Sequence, residues 1–167
     1  YGRRPGGVYI PRFRNIGGDE GVGFKRGYGY QGSARRDVAA PVGFGASMKQ
    51  GLRRYGPWKF SMGAFGECLP YADNRVSLHA NKVDRFGVPL MKFDVKFRDN
   101  ELKMMADARI EGEKMLKAAG LVNVHSYEGA HVPGDAIHEM GGARMGSDPR
   151  KSVLNQWSQA HDASNLY

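Results

Sequence analysis

The sequence contains very little cysteine and no long hydrophobic run. Cys68 is its only cysteine, which excludes an internal disulfide bond and a metal site built from several cysteines. No apolar run approaches the roughly 18 residues that a membrane-spanning helix requires, so we predict no transmembrane segment in this sequence. Hydrophobic residues at 41% and charged residues at 25% are ordinary for globular proteins, which excludes a wholly disordered chain.

The charge is unbalanced towards basic residues. The 25 lysines and arginines against 17 acidic residues give a formal net charge of +8, so an anionic partner has to be considered. Arginine, glycine, tyrosine and phenylalanine are interspersed in residues 3–36, a composition typical of proteins that bind single-stranded nucleic acid. The alternative interpretation is a glycine-rich loop region whose basic side chains are solvated. A basic nucleic-acid-binding or interaction module is therefore one functional hypothesis.

The two ends of the sequence suggest a fragment. The chain opens at Tyr1 without an initiator methionine and stops at Tyr167, where an apolar run begins. We therefore expect flanking sequence on both sides. A signal peptide would lie in the missing N-terminal part, so the sequence makes no prediction about the compartment.

Hydrophobic periodicity predicts a mixture of short strands and helices. Apolar/polar alternation and short apolar clusters predict strands at residues 8–10, 58–62, 75–79, 91–97 and 121–124. A short helix is predicted at 46–55, ended by Gly56-Pro57, and a longer amphipathic helix at 100–119, ended by Gly120. The chain beyond Gly129 has almost no periodicity and is predicted to be a loop.

Two of these elements have predicted buried faces. The strand at 91–97 places Met91, Phe93, Val95 and Phe97 on one side, which is typical of a half-buried antiparallel strand. The helix at 100–119 has an apolar stripe that consists of Leu102, Met105, Ala106, Ile110, Met115, Leu116 and Ala119. The predicted fold class is therefore α+β, with a mainly antiparallel sheet backed by helices.

A glycine motif in the first half of the chain matches a cofactor fingerprint without its context. Residues 27–32 read GYGYQG, the glycine pattern of dinucleotide-binding turns. No apolar strand precedes them, no clear helix follows, and no acidic residue stands at the required offset. We interpret these residues as a glycine-rich surface or substrate loop.

The histidines do not form a metal motif. His138-Glu139 begins like the helix of zinc proteases, but Gly142 stands where the second histidine ligand would be. His125, His131 and His138 are too widely spaced for a compact zinc site. No metal site is predicted.

The segment from His138 onwards carries a specific pattern. Residues 138–149 read HEMGGARMGSDP, residues 152–155 read SVLN, and residues 165–167 read NLY. In this order and spacing they resemble the C-terminal segment of the glucose-methanol-choline (GMC) flavoprotein oxidoreductases. In that family a histidine and a glycine precede an arginine-methionine-glycine run and an aspartate-proline pair, and an asparagine-leucine pair follows.

The resemblance implies a division of the chain. Residues 1–128 look like part of the family's substrate-binding domain, an antiparallel sheet backed by helices, although the likeness is weaker before Phe65. Residues 129–167 look like the segment that leads back to a Rossmann-type FAD-binding domain, which is missing from this sequence. The resemblance is nearest the bacterial sugar and gluconate dehydrogenases and their pyranose oxidase-like relatives. The sequence does not distinguish between a location in the bacterial cytoplasm and one in the periplasm.

The function that the resemblance implies belongs to the parent enzyme. Such an enzyme oxidises a CH–OH group of a sugar, polyol or sugar acid by hydride transfer to FAD, with a histidine as base. Its partners are a small alcohol or sugar and an unidentified electron acceptor, with no specific nucleic acid. The fragment by itself is expected to be inactive, because the flavin-binding region and a second catalytic residue lie outside it.

His138 is the candidate catalytic base on two grounds. Removing the hydroxyl proton of an alcohol needs a base, and a neutral imidazole is suited to this near neutral pH. His138 also stands at the histidine position of the family pattern. It precedes Gly141-Gly142, where the backbone can approach a flat ring closely.

The other candidate site residues are assigned in relation to His138. Gly141 and Asn165 are the candidate flavin contacts that the resemblance implies. Ala136 is a candidate lining residue of the substrate pocket, and Glu67 is either a substrate contact or a surface carboxylate. Further along the pattern, we expect Arg144 to pair with a carboxylate or with backbone carbonyls, Met145 to pack in the interior, and Asp148-Pro149 to form a turn.

Overall fold

The computed structural model describes most of the 167 residues, namely 6–18, 20–38, 43–127, 132, 133, 138 and 140–167. Their elements are β1 (Val8–Ile10), β2 (Tyr28–Val38), α1 (Ala46–Leu52), β3 (Tyr55–Gly66), β4 (Arg75–Val83), β5 (Pro89–Asp94) and α2 (Asp99–Ala118). The chain divides into two compact units. The first comprises Tyr1–Leu69 and Phe97–Gly129, and the second comprises Pro70–Lys96 and Ala130–Tyr167.

The first unit is built on an antiparallel sheet in the order β1-β2-β3. Helix α2 packs against β3 and covers one face of this sheet. The buried core between them consists of Phe24, Tyr28, Tyr30, Met104 and Ala108. Antiparallel strands backed by a helix confirm the predicted α+β class.

The central strand β2 corrects the interpretation of residues 27–32 as a loop. Tyr28 and Tyr30 alternate with glycines, so both rings point to the same face, and each is only 2% exposed. A Cβ on Gly29 would lie 2.8 Å from the carbonyl oxygen of Ile10 in the neighbouring strand. The glycine pattern therefore reflects the close approach of two strands in a sheet. The strand is not predicted because glycine makes this segment weakly hydrophobic.

Helix α2 confirms the predicted element but corrects its buried face. The helix runs over Asp99–Ala118 and ends before Gly120, whose φ of 84° is the left-handed conformation of a helix stop. Leu102 and Ile110 of the predicted stripe are exposed. The residues buried instead are Glu101, Met104, Ala108 and Gly112. Two of these four, Ala108 and Gly112, are small, and the ring of Tyr30 lies directly against Gly112.

The first turn of α2 is fixed by the buried carboxylate of Glu101. Its two oxygens accept the backbone N–H groups of Leu69 at 3.1 Å and of Arg98 at 2.9 Å. Burial opposes its ionisation, but these hydrogen bonds outweigh that effect and lower the pKa of Glu101. The helix start is thereby tied to the chain that leaves β3.

An ion-pair cluster joins α2 to the chain after β1. The guanidinium of Arg14 donates to both carboxylate oxygens of Asp107, at 2.9 and 3.1 Å, and lies 3.1 Å from Glu111. The hydroxyl of Tyr28 donates to the same Asp107 carboxylate at 2.5 Å, and that of Tyr30 donates to the Ala108 carbonyl at 2.6 Å. Burial raises the pKa of Tyr30 to about 12. Both core tyrosines are therefore satisfied and neutral at physiological pH.

Acidification should destabilise the first unit through Asp107. Burial opposes its ionisation, but hydrogen bonds from Arg14 and Tyr28 outweigh it and lower the pKa of Asp107 below the unfolded value of about 3.9. Its contribution is therefore fully present above that value and is lost as pH falls towards the folded-state pKa. As the pH is lowered from about 5 to about 2, we expect the urea midpoint of the wild-type protein to decrease. The midpoint of Asp107→Asn should decrease less over the same pH range. Equal losses in both proteins would contradict this.

Two predicted boundaries in the first unit are wrong. The predicted helix at 46–55 ends at Leu52, and Gly56-Pro57 lies inside β3 rather than closing the helix. No strand forms at 121–124, where Asn123 has a φ of 54° and the chain bends. The strands at 8–10 and 58–62 are confirmed, the latter as part of the longer β3.

The second unit contains the hairpin of β4 and β5. Its turn is closed by Asp84, whose side chain accepts the backbone N–H groups of Phe86 and Val88 at 2.8 and 2.9 Å. Strand β5 ends at Asp94 rather than at residue 97. Of the predicted half-buried face, Met91 and Phe93 are 65% and 52% exposed, whereas Val95 and Phe97, which lie beyond the end of the strand, are half-buried. The predicted strand is confirmed in part, and Met91 and Phe93 lie opposite Leu78 and Val76 across the hairpin.

No helix in the described part of the chain has the length and apolar character needed to cross a bilayer.

Candidate active site

The segment after Gly141 folds without regular strands into three short stretches that lie side by side. Met145 and Leu154 form a parallel bridge, and Leu154 and Ala160 form an antiparallel one. Gly146 N–H donates to the Leu154 carbonyl at 2.8 Å, and His161 N–H donates to the Val153 carbonyl at 3.0 Å. We call the stretches 144–146, 153–155 and 159–161 the ladder. It fixes the backbone that follows the candidate base.

The connection between the first two stretches of the ladder is the predicted turn. The Asp148 carbonyl accepts the N–H groups of Lys151 and Ser152, and the Asp148 side chain accepts the N–H of Arg150 at 3.0 Å. Hydrogen bonds from the Arg150 side chain and backbone lower the pKa of Asp148. Arg144 donates to the Lys151 carbonyl at 2.6 Å, which confirms the expected pairing with a backbone carbonyl.

Met145 does not pack in the interior. Its side chain is 53% exposed, so the prediction of a packing role is wrong for the described structure. The residue takes part in the ladder through its backbone, since Met145 forms the bridge to Leu154.

Three residues meet where the ladder is tightest. The Ser152 hydroxyl donates to the Asp148 carbonyl at 2.8 Å, and the same oxygen lies 3.0 Å from Nε2 of His161. Nε2 of His161 also lies 3.1 Å from the carbonyl oxygen of Gly146. A Cβ added to Gly146 would lie 2.8 Å from Cβ of Ser152, which explains why glycine stands there. The contact therefore joins the first and third stretches and the residue that precedes the second.

Gly146→Ala should loosen the ladder. The added methyl would overlap Ser152, and we expect a loss of about 1–3 kcal/mol in the stability of the second unit, as for other overpacked sites. Gly142→Ala is the matched control, because a Cβ there meets nothing within 4 Å. Chemical denaturation of both variants measures the difference. A Gly146→Ala protein as stable as Gly142→Ala would show that the contact at Gly146 is not tight.

A second polar network shapes the turn that leads to Asn165. The side-chain oxygen of Asn155 accepts the N–H groups of Trp157 at 2.8 Å and Gln159 at 3.2 Å. The Gln159 side chain in turn donates to the Ser164 carbonyl at 2.7 Å. The backbone on the approach to Asn165 is thus held by side chains of the ladder.

The predicted site residues of the second unit lie at its surface. His138 is exposed, and so is Asn165 at the far end of the segment. Gly141 has a φ of 91°, a conformation that side chains rarely adopt, and a Cβ there would meet nothing within 4 Å. The backbone at Gly141 is therefore unobstructed by the described residues, and the flavin contact expected there stays a prediction. Ala136 lies outside the described residues.

Glu67 belongs to the first unit. It directly follows β3, its N–H donates to the Gly27 carbonyl at 3.3 Å, and its carboxylate lies 3.5 Å from Nε of Arg26. This ion pair is well exposed and holds the end of β3 to the start of β2 only weakly. Contact of Glu67 with substrate stays a prediction.

His161 and Ser152 are the residues of the segment that sequence reasoning missed. The ring of His161 contacts residues 9 and 15 positions earlier in the chain, beyond the reach of any helical or strand periodicity. In the part of the chain that the structure describes, no group of three or more histidine, cysteine or acidic side chains is placed to hold a metal ion.

Comparison with known proteins places this segment among oxidoreductases. Residues 70–167 match a family model described as GMC oxidoreductase. The 2-methyl-1,2-propanediol dehydrogenase of Mycolicibacterium austroafricanum is 28% identical and covers 89% of this chain. The gluconate 2-dehydrogenase flavoprotein of Pantoea cypripedii is 31% identical over 64% of it, and the paromamine 6'-oxidase of Streptomyces fradiae is 33% identical over 59%.

The chain spans only a minor part of these relatives. It covers 28% of the length of the diol dehydrogenase and 18% of the length of each of the other two. No solved structure matches the chain significantly.

Proposed function

Because the chain belongs to the GMC oxidoreductase family, we propose that it is part of a flavoprotein that oxidises a CH–OH group of a sugar, polyol or sugar acid. The observation that carries the proposal is the match over residues 70–167, which includes the proposed base His138 and the candidate flavin contacts Gly141 and Asn165. Relatives named as dehydrogenases of a diol, of gluconate and of fructose support the substrate class.

His138 is the proposed base. As the alcohol becomes a carbonyl, the hydroxyl proton passes to the imidazole of His138 while the carbon gives up its hydrogen with the bonding electron pair. FAD, when bound, supplies the acceptor of that hydride. The exposed position of His138 allows an alcohol to reach its ring.

The remaining candidates are assigned to flavin or substrate contacts. Gly141 and Asn165 would contact the flavin, Gly141 through a backbone that no Cβ shields. Glu67 would accept hydrogen bonds from sugar hydroxyls, a task suited to an ionised carboxylate, and Ala136 would line the pocket. These four assignments are proposals about the complete enzyme.

The nucleic-acid hypothesis loses much of its basis in the described structure. Tyr28 and Tyr30 are buried under α2, so neither ring is available to stack on a base. Arg14 is paired with Asp107 and Glu111, and the side chain of Arg12 donates to the carbonyls of Arg14 and Asn15. The aromatic residues of this region that lie in β2 therefore belong to the core of the first unit, which disfavours a nucleic-acid-binding role.

The test of the proposed function uses the complete enzyme that contains this chain. The oxidised flavin of that enzyme is mixed anaerobically with a panel of sugars, polyols and sugar acids, and its visible absorbance is followed. We expect bleaching with at least one of them and formation of the corresponding carbonyl product. A flavin that no member of the panel bleaches, or tight sequence-selective binding of a single-stranded oligonucleotide at physiological salt, would overturn the proposal.

A further inference from the structure

We propose that His161 is a positioning residue that holds the backbone after His138 against the backbone that leads to Asn165. The proposal rests on the proposed function in one respect, since it assumes that those two residues serve the same reaction. Its basis is the ring contact described above, in which Nε2 of His161 lies 3.0 Å from the Ser152 hydroxyl oxygen and 3.1 Å from the Gly146 carbonyl oxygen.

The hydrogen-bond partners define which ring nitrogen carries the proton. The Ser152 hydroxyl has a single hydrogen, and the Asp148 carbonyl at 2.8 Å takes it. The Gly146 carbonyl can only accept. Both neighbours of Nε2 are therefore acceptors, so Nε2 of His161 carries a hydrogen and donates to them. The same assignment excludes Ser152 as an activated nucleophile, because Nε2 has no lone pair with which to take its proton.

The ring of His161 links the two outer stretches of the ladder. The backbone N–H of His161 donates to the Val153 carbonyl in the middle stretch at 3.0 Å, while the ring of His161 contacts the Gly146 carbonyl in the first stretch. If the only hydrogen bonds were those to the middle stretch, the first and third stretches would each be bound to it but not to each other. The ring adds a direct connection between the first and third stretches, so that neither can shift without the other.

This connection lies between the two candidate site residues along the chain. Gly146 follows His138 through the short glycine-rich turn at Gly141, and His161 precedes Asn165. The third stretch is tied further by the Ala160 N–H, which donates to the Leu166 carbonyl at 2.8 Å. Loss of the His161 contact would therefore let the backbone on both sides of the site move. A displacement of about 1 Å in a catalytic site is enough to cost roughly 10²-fold in rate.

Two substitutions separate the donor function of His161 from its size. His161→Gln keeps an N–H donor on a side chain of similar reach, whereas His161→Leu keeps bulk and removes the donor. In the complete enzyme we expect His161→Leu to lower kcat by about 10- to 100-fold at full flavin loading, with little change in KM. His161→Gln should recover the rate to within about threefold of the wild type. If His161 instead had to gain and lose a proton in the reaction, neither leucine nor glutamine could replace it, and both variants would be equally slow.

Amide hydrogen exchange tests the contact without relying on activity. Loss of one part-buried hydrogen bond should raise exchange in peptides from residues 144–161 by about tenfold in His161→Leu, and much less in His161→Gln. Unchanged exchange in His161→Leu, or failure of glutamine to restore either measurement, would overturn the positioning role. If exchange responds as expected but the wild-type flavin is not bleached by any alcohol, the proposed function fails and the contact stands.

Discussion

The His138→Ala form of the complete enzyme should keep its flavin but reduce it with substrate about 10²- to 10⁴-fold more slowly than the wild type. That range is typical for the loss of a general base. Flavin binding should persist because its phosphate contacts lie elsewhere in such an enzyme, and the exposed His138 ring carries none of the contacts of the ladder. Anaerobic stopped-flow mixing with a reactive polyol measures the rate directly.

His125→Ala is the matched control for this prediction. His125 is also exposed, but it belongs to the first unit and lies outside the family pattern. We expect its rate of flavin reduction to stay within about threefold of the wild type, as for a surface substitution away from the site. A fully loaded His138→Ala enzyme that reduces its flavin at the rate of the control would show that His138 is not the base.

Tyr28→Ala should produce a large loss of folding stability in the first unit. Tyr28 is almost fully buried, and it contacts the rings of Phe13, Phe24 and Tyr30. Truncation of a buried aromatic side chain costs about 3–5 kcal/mol, which is a large share of the 5–15 kcal/mol that stabilises an ordinary domain. We expect the first unit to unfold at far lower denaturant concentrations, or not to fold, as followed by circular dichroism.

Two control substitutions test the cause of that loss. Tyr28→Phe keeps the ring and removes only the hydrogen bond to Asp107, so it should cost about 1.5–3 kcal/mol, as for a bond to a charged group. Tyr9→Ala changes a tyrosine of the same sheet that is 65% exposed, and its free energy of unfolding should be within about 0.5 kcal/mol of that of the wild type. Equal losses in Tyr28→Ala and Tyr9→Ala would mean that β2 is not the core strand.

Elements with strong local patterns are predictable from this sequence. Helix α2 has charged residues in its first and last turns and a glycine just beyond its end, so its bounds are predicted within a residue or two. Strand β4 is predicted correctly in place, although short, because alternation is unbroken over its first half. The family pattern from His138 to Tyr167 is local as well, and the match over residues 70–167 confirms it.

The predictions fail where tertiary packing decides the outcome. Strand β2 is not predicted because its glycines lower the hydrophobicity of the segment that contains the core tyrosines. At Gly29, glycine is required by the close approach to Ile10. The buried face of α2 is missed because Ala108 and Gly112 are small rather than strongly apolar. The ladder depends on contacts of His161 with residues distant in sequence, which no periodicity encodes.

The pH dependence of flavin reduction, compared between the wild-type enzyme and His138→Gln, tests the central claim most directly. A protonated imidazole cannot accept the hydroxyl proton, so the wild-type rate of reduction by a polyol should rise with pH. Glutamine does not titrate, and the His138→Gln enzyme should be slow and should lack that rise. A variant that keeps the wild-type pH profile would contradict the assignment of His138 as the base.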